Sequence, residues 1–455
     1  MISLSDCIFW FYFSAVTWFF WSSVVSALFK IQIIQHLYIS MLDKLFSYAA
    51  SAVTLNDNIM RITSVDSFEN LDTYDDDLIE RDIQLTEGGV KVKSNLVPDQ
   101  KGFKLYYPVY LAKCGIEAII EDSVTKRFTA AELRVWNFLS RNQSYVYAKK
   151  DNHTTLMFLW LVGLIVRYAI FLPCRLIVFF SSIFFTWLTG AVARKLPPSR
   201  FKSWLSTEGI QAAVRLNLCS FSAVIRFHNR QNRPRANTIC VANHTTPFDW
   251  CILASDVTYA VVGQKHAGFF GLAEWIISCA VPAIWFDRNE ILDRSSTAKK
   301  LKDHAATLNA EPILIFPEGT CINNTSVMKF KKGCFEVGAE IHPVAIKYNP
   351  LFADCFWNSS LDSLFQYSLK IMTSWAIMVD VWYLPPTKKS DEEDSIAFAR
   401  RVQHSIAQCG GMIGMDWDGE LKRNRPKDTL KYAQQKYVSQ YVVPAVTSES
   451  RQSAT

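Results

Sequence analysis

Two long apolar segments restrict the folds that this chain can adopt. Residues 8–29 carry no charged side chain and are long enough to cross a hydrocarbon layer of about 30 Å as a helix. Asp6 stands where a cleaved signal peptide would carry a basic residue, and Lys30 and Lys44 follow the run. The sequence therefore predicts an N-terminal membrane anchor over residues 1–50, with the following chain on the cytosolic side.

The second apolar segment covers residues 155–188 and is interrupted by Arg167, Pro173 and Arg175. It is too long for one membrane crossing and short for two. Because proline removes a helix hydrogen bond and Arg175 would seek an interface, the pattern predicts a membrane hairpin over residues 155–190 with its tip near Pro173. A buried hairpin in the core of a soluble domain is the alternative.

Composition supports a membrane contact and excludes several classes of protein. Half of the residues are hydrophobic, 20% are charged, and there are 31 Phe and 14 Trp. The net charge of +6 is scattered along the chain, so nucleic acid is not the expected partner. The 11 Cys contain no C-x-x-C pair, which indicates reduced thiols and neither a zinc module nor a disulfide framework.

The remaining segments differ in character. Residues 51–114 are polar, include the acidic cluster 75–77, and predict a flexible spacer. The sequence predicts a helical segment over residues 115–154, before the second apolar stretch. It predicts a catalytic domain over residues 200–436 and a disordered tail over residues 437–455.

Short apolar runs alternate with amphipathic segments beyond residue 200, which is typical of an α/β domain with a mainly buried mixed sheet flanked by helices. The predicted strands cover residues 223–227, 238–242, 259–262, 282–286, 312–316, 343–347 and 377–383. The predicted helices cover residues 248–254, 271–279, 296–308 and 391–408, the last ended by Gly410-Gly411.

A His and an Asp follow the second of these strands. His244 lies in the turn and Asp249, five positions later, opens the next helix. This spacing does not place both on one helical face, so the turn must fold the carboxylate back to the imidazole. If Asp249 accepts the Nδ1 proton, the other ring nitrogen can take a proton from an alcohol. The alternative is a His bonded within an ordinary turn and an Asp that caps a helix.

Three further clusters occur at strand ends or soon after them. Glu318 and Gly319 follow the strand at 312–316, where Glu318 can accept hydrogen bonds from substrate hydroxyls and Gly319 permits close backbone approach. Arg288 ends the strand at 282–286 and can hold a phosphate, or equally be solvated or paired with a carboxylate. The basic cluster Lys329, Lys331 and Lys332 can attract a phosphate or the coenzyme A tail, or form a solvated helix face.

The order of these blocks resembles the glycerol-3-phosphate/lysophosphatidate O-acyltransferase superfamily. The family's H-x-x-x-x-D motif matches residues 244–249, its aromatic strand ending in Arg matches 286–288, its F-P-E-G-T motif matches 316–320, and its Pro-led strand matches 341–344. The strings at 316–326, 342–350 and 373–377 are most similar to the animal endoplasmic-reticulum glycerol-3-phosphate acyltransferases of types three and four. The resemblance covers residues 115–436.

The resemblance implies transfer of an acyl group from acyl-CoA to the sn-1 hydroxyl of glycerol 3-phosphate at the cytosolic face of the endoplasmic reticulum membrane. It implies that His244 is the general base and Asp249 its orienting partner, with no metal and no cofactor beyond the co-substrate acyl-CoA. The residues implied or predicted to contact substrate are Arg288, Glu318, Gly319, Thr320, Lys329, Lys331, Lys332 and Pro343.

Other functions stay open at this point. Many lysophosphatidate acyltransferases carry Arg where this chain has Cys321, which favours glycerol 3-phosphate over acylation of lysophosphatidate at sn-2. A non-catalytic membrane scaffold is the alternative of another class. The sequence has no G-x-S-x-G elbow of a serine hydrolase and no H-E-x-x-H zinc motif.

Overall fold

The protein is described from a computed structural model. The described residues are 3–52, 84–86, 89–91, 153–264, 269–286, 299, 301–304, 306–307, 309–416 and 419. Arg288, the tail at 437–455 and nearly all of the predicted spacer and helical pre-segment lie outside them. Within the spacer, β1 (Gln84–Thr86) and β2 (Gly89–Lys91) pair antiparallel and belong to a separate unit of the chain.

The other described elements include a mixed sheet of seven strands: β3 (Ala223–His228), β4 (Ile239–Ala242), β5 (Ala260–Gln264), β6 (Ala283–Phe286), β7 (Ile313–Ile315), β9 (Ile341–Asn349) and β10 (Ile377–Tyr383). Their order in the sheet is β3-β10-β9-β4-β7-β5-β6. Within this described sheet β9 and β10 pair antiparallel, and every other neighbouring pair is parallel. All seven predicted strands are confirmed, with ends within two residues of the prediction.

Helices cover both faces of the sheet, as predicted for an α/β domain. One face packs against α6 (Ile210–Cys219), α7 (Asp249–Ala254) and α9 (Leu364–Thr373) through an apolar core that includes Val214, Leu253 and Ile371. The other face packs against α10 (Ser395–Cys409) through Phe398, Val402 and Ile406. Other described elements of the α/β domain include α5 (Arg200–Trp204), α8 (Phe269–Ala280), the short helices Arg230–Asn232 and Lys332–Glu336, the π-helical turn Leu205–Gly209, and the small pair β8 (Ser326–Val327) and β11 (Ile413–Gly414).

The predicted N-terminal anchor is a pair of helices, α1 (Leu4–Phe29) and α2 (Ile33–Ala52). Lys30 ends α1 in the left-handed conformation, so the chain turns into α2. The side chains of Ile39, Leu42 and Phe46 are buried, and the Phe46 ring packs edge-on against Phe352 with 5.1 Å between ring centroids. Thus α2 packs on the α/β domain, while the apolar window of α1 is only 6% buried.

The predicted membrane hairpin is wrong. The chain runs as one helical segment through α3 (His153–Ile165), a π-helical turn (Val166–Phe171) and α4 (Leu172–Lys195), without a reversal at Pro173. The wider π-helical turn ends at Phe171, two residues before Pro173, so the helix passes the proline with a local irregularity of its backbone and without a reversal. Among the described residues, this segment and α1 are the two helices long and apolar enough to span a membrane, and they suggest membrane association.

Arg175 explains why the hairpin prediction failed. Its side chain is fully buried, not placed at an interface, and its guanidinium donates to the carbonyl oxygens of Met372, Ser374 and Trp375, each at 2.6 Å. These carbonyls lie at the C-terminal end of α9, where a cation is favoured by the helix dipole. Arg175 therefore fixes the long helical segment to the α/β domain.

Candidate active site

The predicted His–Asp pair forms at the carboxyl end of β4. The strand ends at Ala242, and Asp249 is the first residue of α7. The turn between them folds back so that Nδ1 of His244 lies 2.9 Å from Oδ2 of Asp249. The predicted pairing is confirmed.

Asp249 is held by donors alone. Its Oδ2 also accepts the backbone N–H groups of Thr245 at 2.7 Å and Thr246 at 3.0 Å, and its Oδ1 accepts the hydroxyl of Tyr348. The carboxylate is fully buried, and the contacts of both its oxygens are with donors, so it accepts in each of them. Nδ1 of His244 must therefore carry a proton, which leaves Nε2 as the nitrogen that can act as a base.

The segment after β7 holds the imidazole from the other side. The Phe316 ring stacks on the His244 ring with 4.3 Å between centroids and 19° between planes. The peptide N–H of His244 donates to Oε2 of Glu318 at 2.7 Å, and the N–H of Met328 donates to Oε1 at 2.7 Å. Glu318 is only 1% exposed. Burial raises its pKa to about 8, although both backbone donors oppose this shift. The carboxylate predicted to meet substrate hydroxyls is thus engaged by the backbone beneath the turn.

The same segment also contacts the imidazole at its Nε2 edge. Sγ of Cys321 lies 3.4 Å from Nε2 of His244, and the N–H of Ile322 donates to the carbonyl oxygen of His244 at 2.8 Å. The pKa of His244 is raised to about 10: burial by itself lowers it, but the neighbouring Cys321 sulfur and the Asp249 carboxylate outweigh burial.

The other predicted substrate residues do not all lie at the His244 turn. Gly319 (φ 68°) and Thr320 form the turn after Glu318, and the exposed side chains of Lys329 and Lys331 follow it, with the Lys331 N–H donating to the carbonyl oxygen of Pro317 at 3.0 Å. Lys332 is exposed and pairs with Glu336 at 2.9 Å. Pro343 is buried inside β9, where its partner is Val241 of β4, so its place in the fold is structural. Arg288 lies outside the described residues.

Sequence reasoning missed the side-chain contacts that join the turn to β9. Tyr348 is 99 positions from the carboxylate to which it donates. Asn243 accepts the N–H of Ile346 at 2.8 Å and donates to the carbonyl oxygen of the same residue at 2.9 Å, which fixes the start of the turn to β9. No periodic or short-range signal links these positions; only the strand order brings them together.

A second His–Asp pair lies at the sheet edge. Nε2 of His228 in β3 is 2.7 Å from Oδ1 of Asp380 in β10. Nε of Arg226 also lies 3.2 Å from this oxygen, so the guanidinium balances the carboxylate charge. This pair therefore differs electrostatically from the pair at residues 244 and 249, and it provides a matched control for mutations there.

Comparison with known proteins agrees with the geometry. A family model described as Acyltransferase matches residues 224–347, which include both the His–Asp turn and the segment after β7. The crystal structure of the 1-acyl-sn-glycerophosphate (LPA) acyltransferase PlsC from Thermotoga maritima aligns with a TM-score of 0.41 at 14% identity, covering 55% of this chain and 97% of that one. A TM-score this low supports no conclusion about the function of this chain.

Three curated relatives match most of the chain. Glycerol-3-phosphate acyltransferase 3-like from Danio rerio is 47% identical, covering 82% of this chain and 84% of the relative. Glycerol-3-phosphate acyltransferase 3 from Mus musculus is 48% identical, covering 75% and 78%. Glycerol-3-phosphate acyltransferase 4 from Mus musculus is 42% identical, covering 94% and 93%. Because these identities extend over most of this chain and most of each relative, the chain belongs to the family of the glycerol-3-phosphate acyltransferases 3 and 4.

Proposed function

We propose that this protein transfers a fatty acyl group from acyl-CoA to the sn-1 hydroxyl of glycerol 3-phosphate and releases lysophosphatidate and coenzyme A. The observation that carries the proposal is the 2.9 Å contact between His244 and a fully buried Asp249, which leaves Nε2 of the imidazole as a base. The names of the relatives supply the substrate class, and the Cys321 position favours glycerol 3-phosphate as the acceptor.

The reaction needs one base and no covalent intermediate. Nε2 of His244 takes the hydroxyl proton while the hydroxyl oxygen attacks the thioester carbonyl, so that a C–O bond forms. When the C–S bond breaks, the imidazolium returns the proton to the departing coenzyme A sulfur. Asp249 holds the Nδ1 proton and stabilises the positive ring in between. No group beyond the two substrates is required, and the basic cluster with Lys329 and Lys331 is proposed to attract their phosphates.

We further propose that the enzyme works at the endoplasmic reticulum membrane with its α/β domain on the cytosolic side. The two apolar helices support membrane attachment. Acyl chains partition into lipid by about 0.8 kcal/mol per buried CH₂. A site held at the bilayer surface therefore meets the donor and the product where both concentrate.

The acceptor is tested with purified full-length enzyme, one acyl-CoA and either glycerol 3-phosphate or lysophosphatidate. The proposal expects a higher kcat/KM with glycerol 3-phosphate. Faster turnover of lysophosphatidate would contradict the proposal and assign acylation at sn-2 to the enzyme. Activity with neither acceptor would favour the scaffold alternative.

The base is tested with matched pairs of variants. His244→Ala and Asp249→Asn are each expected to lower kcat by about 10³–10⁴-fold, because the first removes the base and the second permits the wrong tautomer. The edge-pair variants His228→Ala and Asp380→Asn should retain wild-type kcat. Equal losses in both pairs would mean that the effect is structural and would refute the assignment.

A further inference from the structure

The nitrogen that the proposed mechanism needs already has a neighbour. Sγ of Cys321 lies 3.4 Å from Nε2 of His244, within the range for a hydrogen bond to sulfur. The thiol is 4% exposed, and the His244 side chain is 20% exposed. A group at this position stands where the acceptor hydroxyl must place its proton.

The direction of this hydrogen bond follows from the other side of the ring. Asp249 only accepts, so the Nδ1 proton is fixed and the neutral imidazole has a bare Nε2. In that state Cys321 must be the donor. When His244 is protonated the roles reverse, and Nε2–H donates to the sulfur. Either protonation state of His244 can therefore be satisfied by Cys321.

The segment that carries the thiol is tied to the backbone of His244, the residue that the thiol contacts. The N–H of Ile322 donates to the carbonyl oxygen of His244 at 2.8 Å, and the N–H of His244 donates to Glu318 at 2.7 Å. Phe316 stacks on the ring and fixes its plane. These contacts fix the backbone on both sides and the plane of the ring, which brings Sγ of Cys321 next to Nε2 of His244.

We propose that Cys321 is a positioning residue: it satisfies Nε2 of His244 in the resting enzyme and yields this nitrogen to the acceptor hydroxyl when substrate binds. The inference rests on the proposed function, since it assigns a role to the site used there. While the ring is neutral, the thiol takes the place of the substrate hydroxyl as the donor to Nε2, and it competes with the acceptor for this nitrogen. In either protonation state of the ring, the contact keeps the imidazole oriented between turnovers.

The electrostatics give the proposal a second readout. Among the described residues, the titratable groups that face His244 are Asp249 from α7 and Cys321 and Glu318 from the segment after β7. Cys321 raises the pKa of His244, so its removal should lower that pKa. The rising limb of the pH profile of kcat/KM would then move to lower pH.

Three variants separate the two effects of Cys321, which are competition with the acceptor for Nε2 and the raised pKa of His244. Cys321→Ala removes both, so the KM for glycerol 3-phosphate should fall by about 2–10-fold, the size expected for loss of one weak competing hydrogen bond, and the pH limb should move to lower pH. Cys321→Ser keeps a donor but not an ionisable thiol, so KM stays at or above the wild-type value while the limb still moves. Cys334→Ala removes a buried thiol elsewhere and should change neither.

A measurement without acceptor keeps this test independent of the proposed function. Diethyl pyrocarbonate modifies neutral imidazole, and its reaction with His244 can be followed by peptide mass spectrometry. Modification should be faster in Cys321→Ala than in wild type or Cys334→Ala, even if glycerol 3-phosphate proves not to be the acceptor. The proposal is overturned if Cys321→Ala leaves the modification rate, KM and pH limb unchanged, or if a folded Cys321→Ala variant has no acyl transfer while the wild type is active.

Discussion

Glu318 is joined to His244 through the peptide N–H of His244, which donates to Oε2 at 2.7 Å, and not through the imidazole. Its other oxygen accepts from Met328, so one buried carboxylate bridges the turn after β4 and the chain that follows β7. The two strands are neighbours in the sheet, and the bridge ties their loops together at the carboxyl ends. Glu318 therefore fixes where His244 stands.

Replacing Glu318 with Gln should loosen this bridge. The amide keeps one accepting oxygen but turns an NH₂ toward the second backbone donor, which leaves that donor unsatisfied at a cost of about 1–3 kcal/mol. We expect a lower unfolding midpoint and at least about a tenfold lower kcat, because the His244 backbone shifts. Glu336→Gln, at an exposed residue, is the control. Wild-type stability and kcat in Glu318→Gln would show that the bridge has no such role.

The raised pKa of His244 predicts that activity increases toward alkaline pH. A general base must be unprotonated, so below its pKa of about 10 the value of kcat/KM should rise by about tenfold per pH unit. Stability should change in the opposite direction. The protonated ring stabilises the fold fully below its ordinary pKa of 6.5, and this contribution is lost as pH rises through about 10.

Initial rates and unfolding midpoints measured from pH 6 upward test both signs. His228→Ala should leave the kinetic limb where it is, because that ring is not the base. A profile that is flat between pH 6 and 9, or that falls over this range, would contradict the predicted protonation of His244.

Much of this arrangement could be predicted because it is local. Each strand is a short apolar run closed by a turn residue, and the His244–Asp249 contact lies within one strand, one turn and one helix start. The contacts that complete the site were not predictable. Glu318 is 74 positions from His244 and Tyr348 is 99 positions from Asp249, and only the order β9-β4-β7 makes them neighbours.

The failed hairpin prediction has a different physical cause. In the sequence, Arg175 shows only its charge and Pro173 only its missing N–H, because the residues that surround them in space are distant along the chain. In the structure a π-helical turn precedes the proline and carbonyl oxygens from α9 surround the guanidinium. A buried cation that is satisfied by distant carbonyls leaves no signal in the apolar pattern around it.

Tyr348 should contribute to catalysis through Asp249. Tyr348→Phe removes the hydroxyl that donates to Oδ1 and leaves that side of the buried carboxylate with one donor fewer. Hydrogen bonds to charged groups contribute about 1.5–3 kcal/mol, so we expect kcat to fall by about 10-fold or more. Tyr383→Phe removes a similar hydroxyl, which donates to Asp256 at 3.0 Å away from the turn, and should leave kcat unchanged. Equal kcat values for the two variants would exclude a special role for Tyr348.

Arg175 should stabilise the attachment of the long helical segment. Arg175→Met keeps the length of the side chain but leaves the buried carbonyl oxygens of Met372, Ser374 and Trp375 without their donor. The cost is about 3 kcal/mol or more, which corresponds to an unfolding midpoint lower by roughly 5 °C or more. Arg400→Met replaces an exposed arginine and should change the midpoint little. A midpoint unchanged in Arg175→Met would mean that the segment is held by apolar packing alone.

Gly419 should be intolerant of even a methyl group. A Cβ at this position would lie 2.7 Å from Cγ2 of Thr320 and 3.0 Å from the carbonyl oxygen of Glu318. Because these atoms belong to the turn that supports His244, Gly419→Ala should displace the turn and lower kcat by about tenfold, with a small loss of stability. Gly333→Ala is the matched control, since a Cβ there meets nothing within 4 Å. Steady-state kinetics on both variants decide the matter: unchanged kcat in Gly419→Ala would show that the turn can move without disturbing the base.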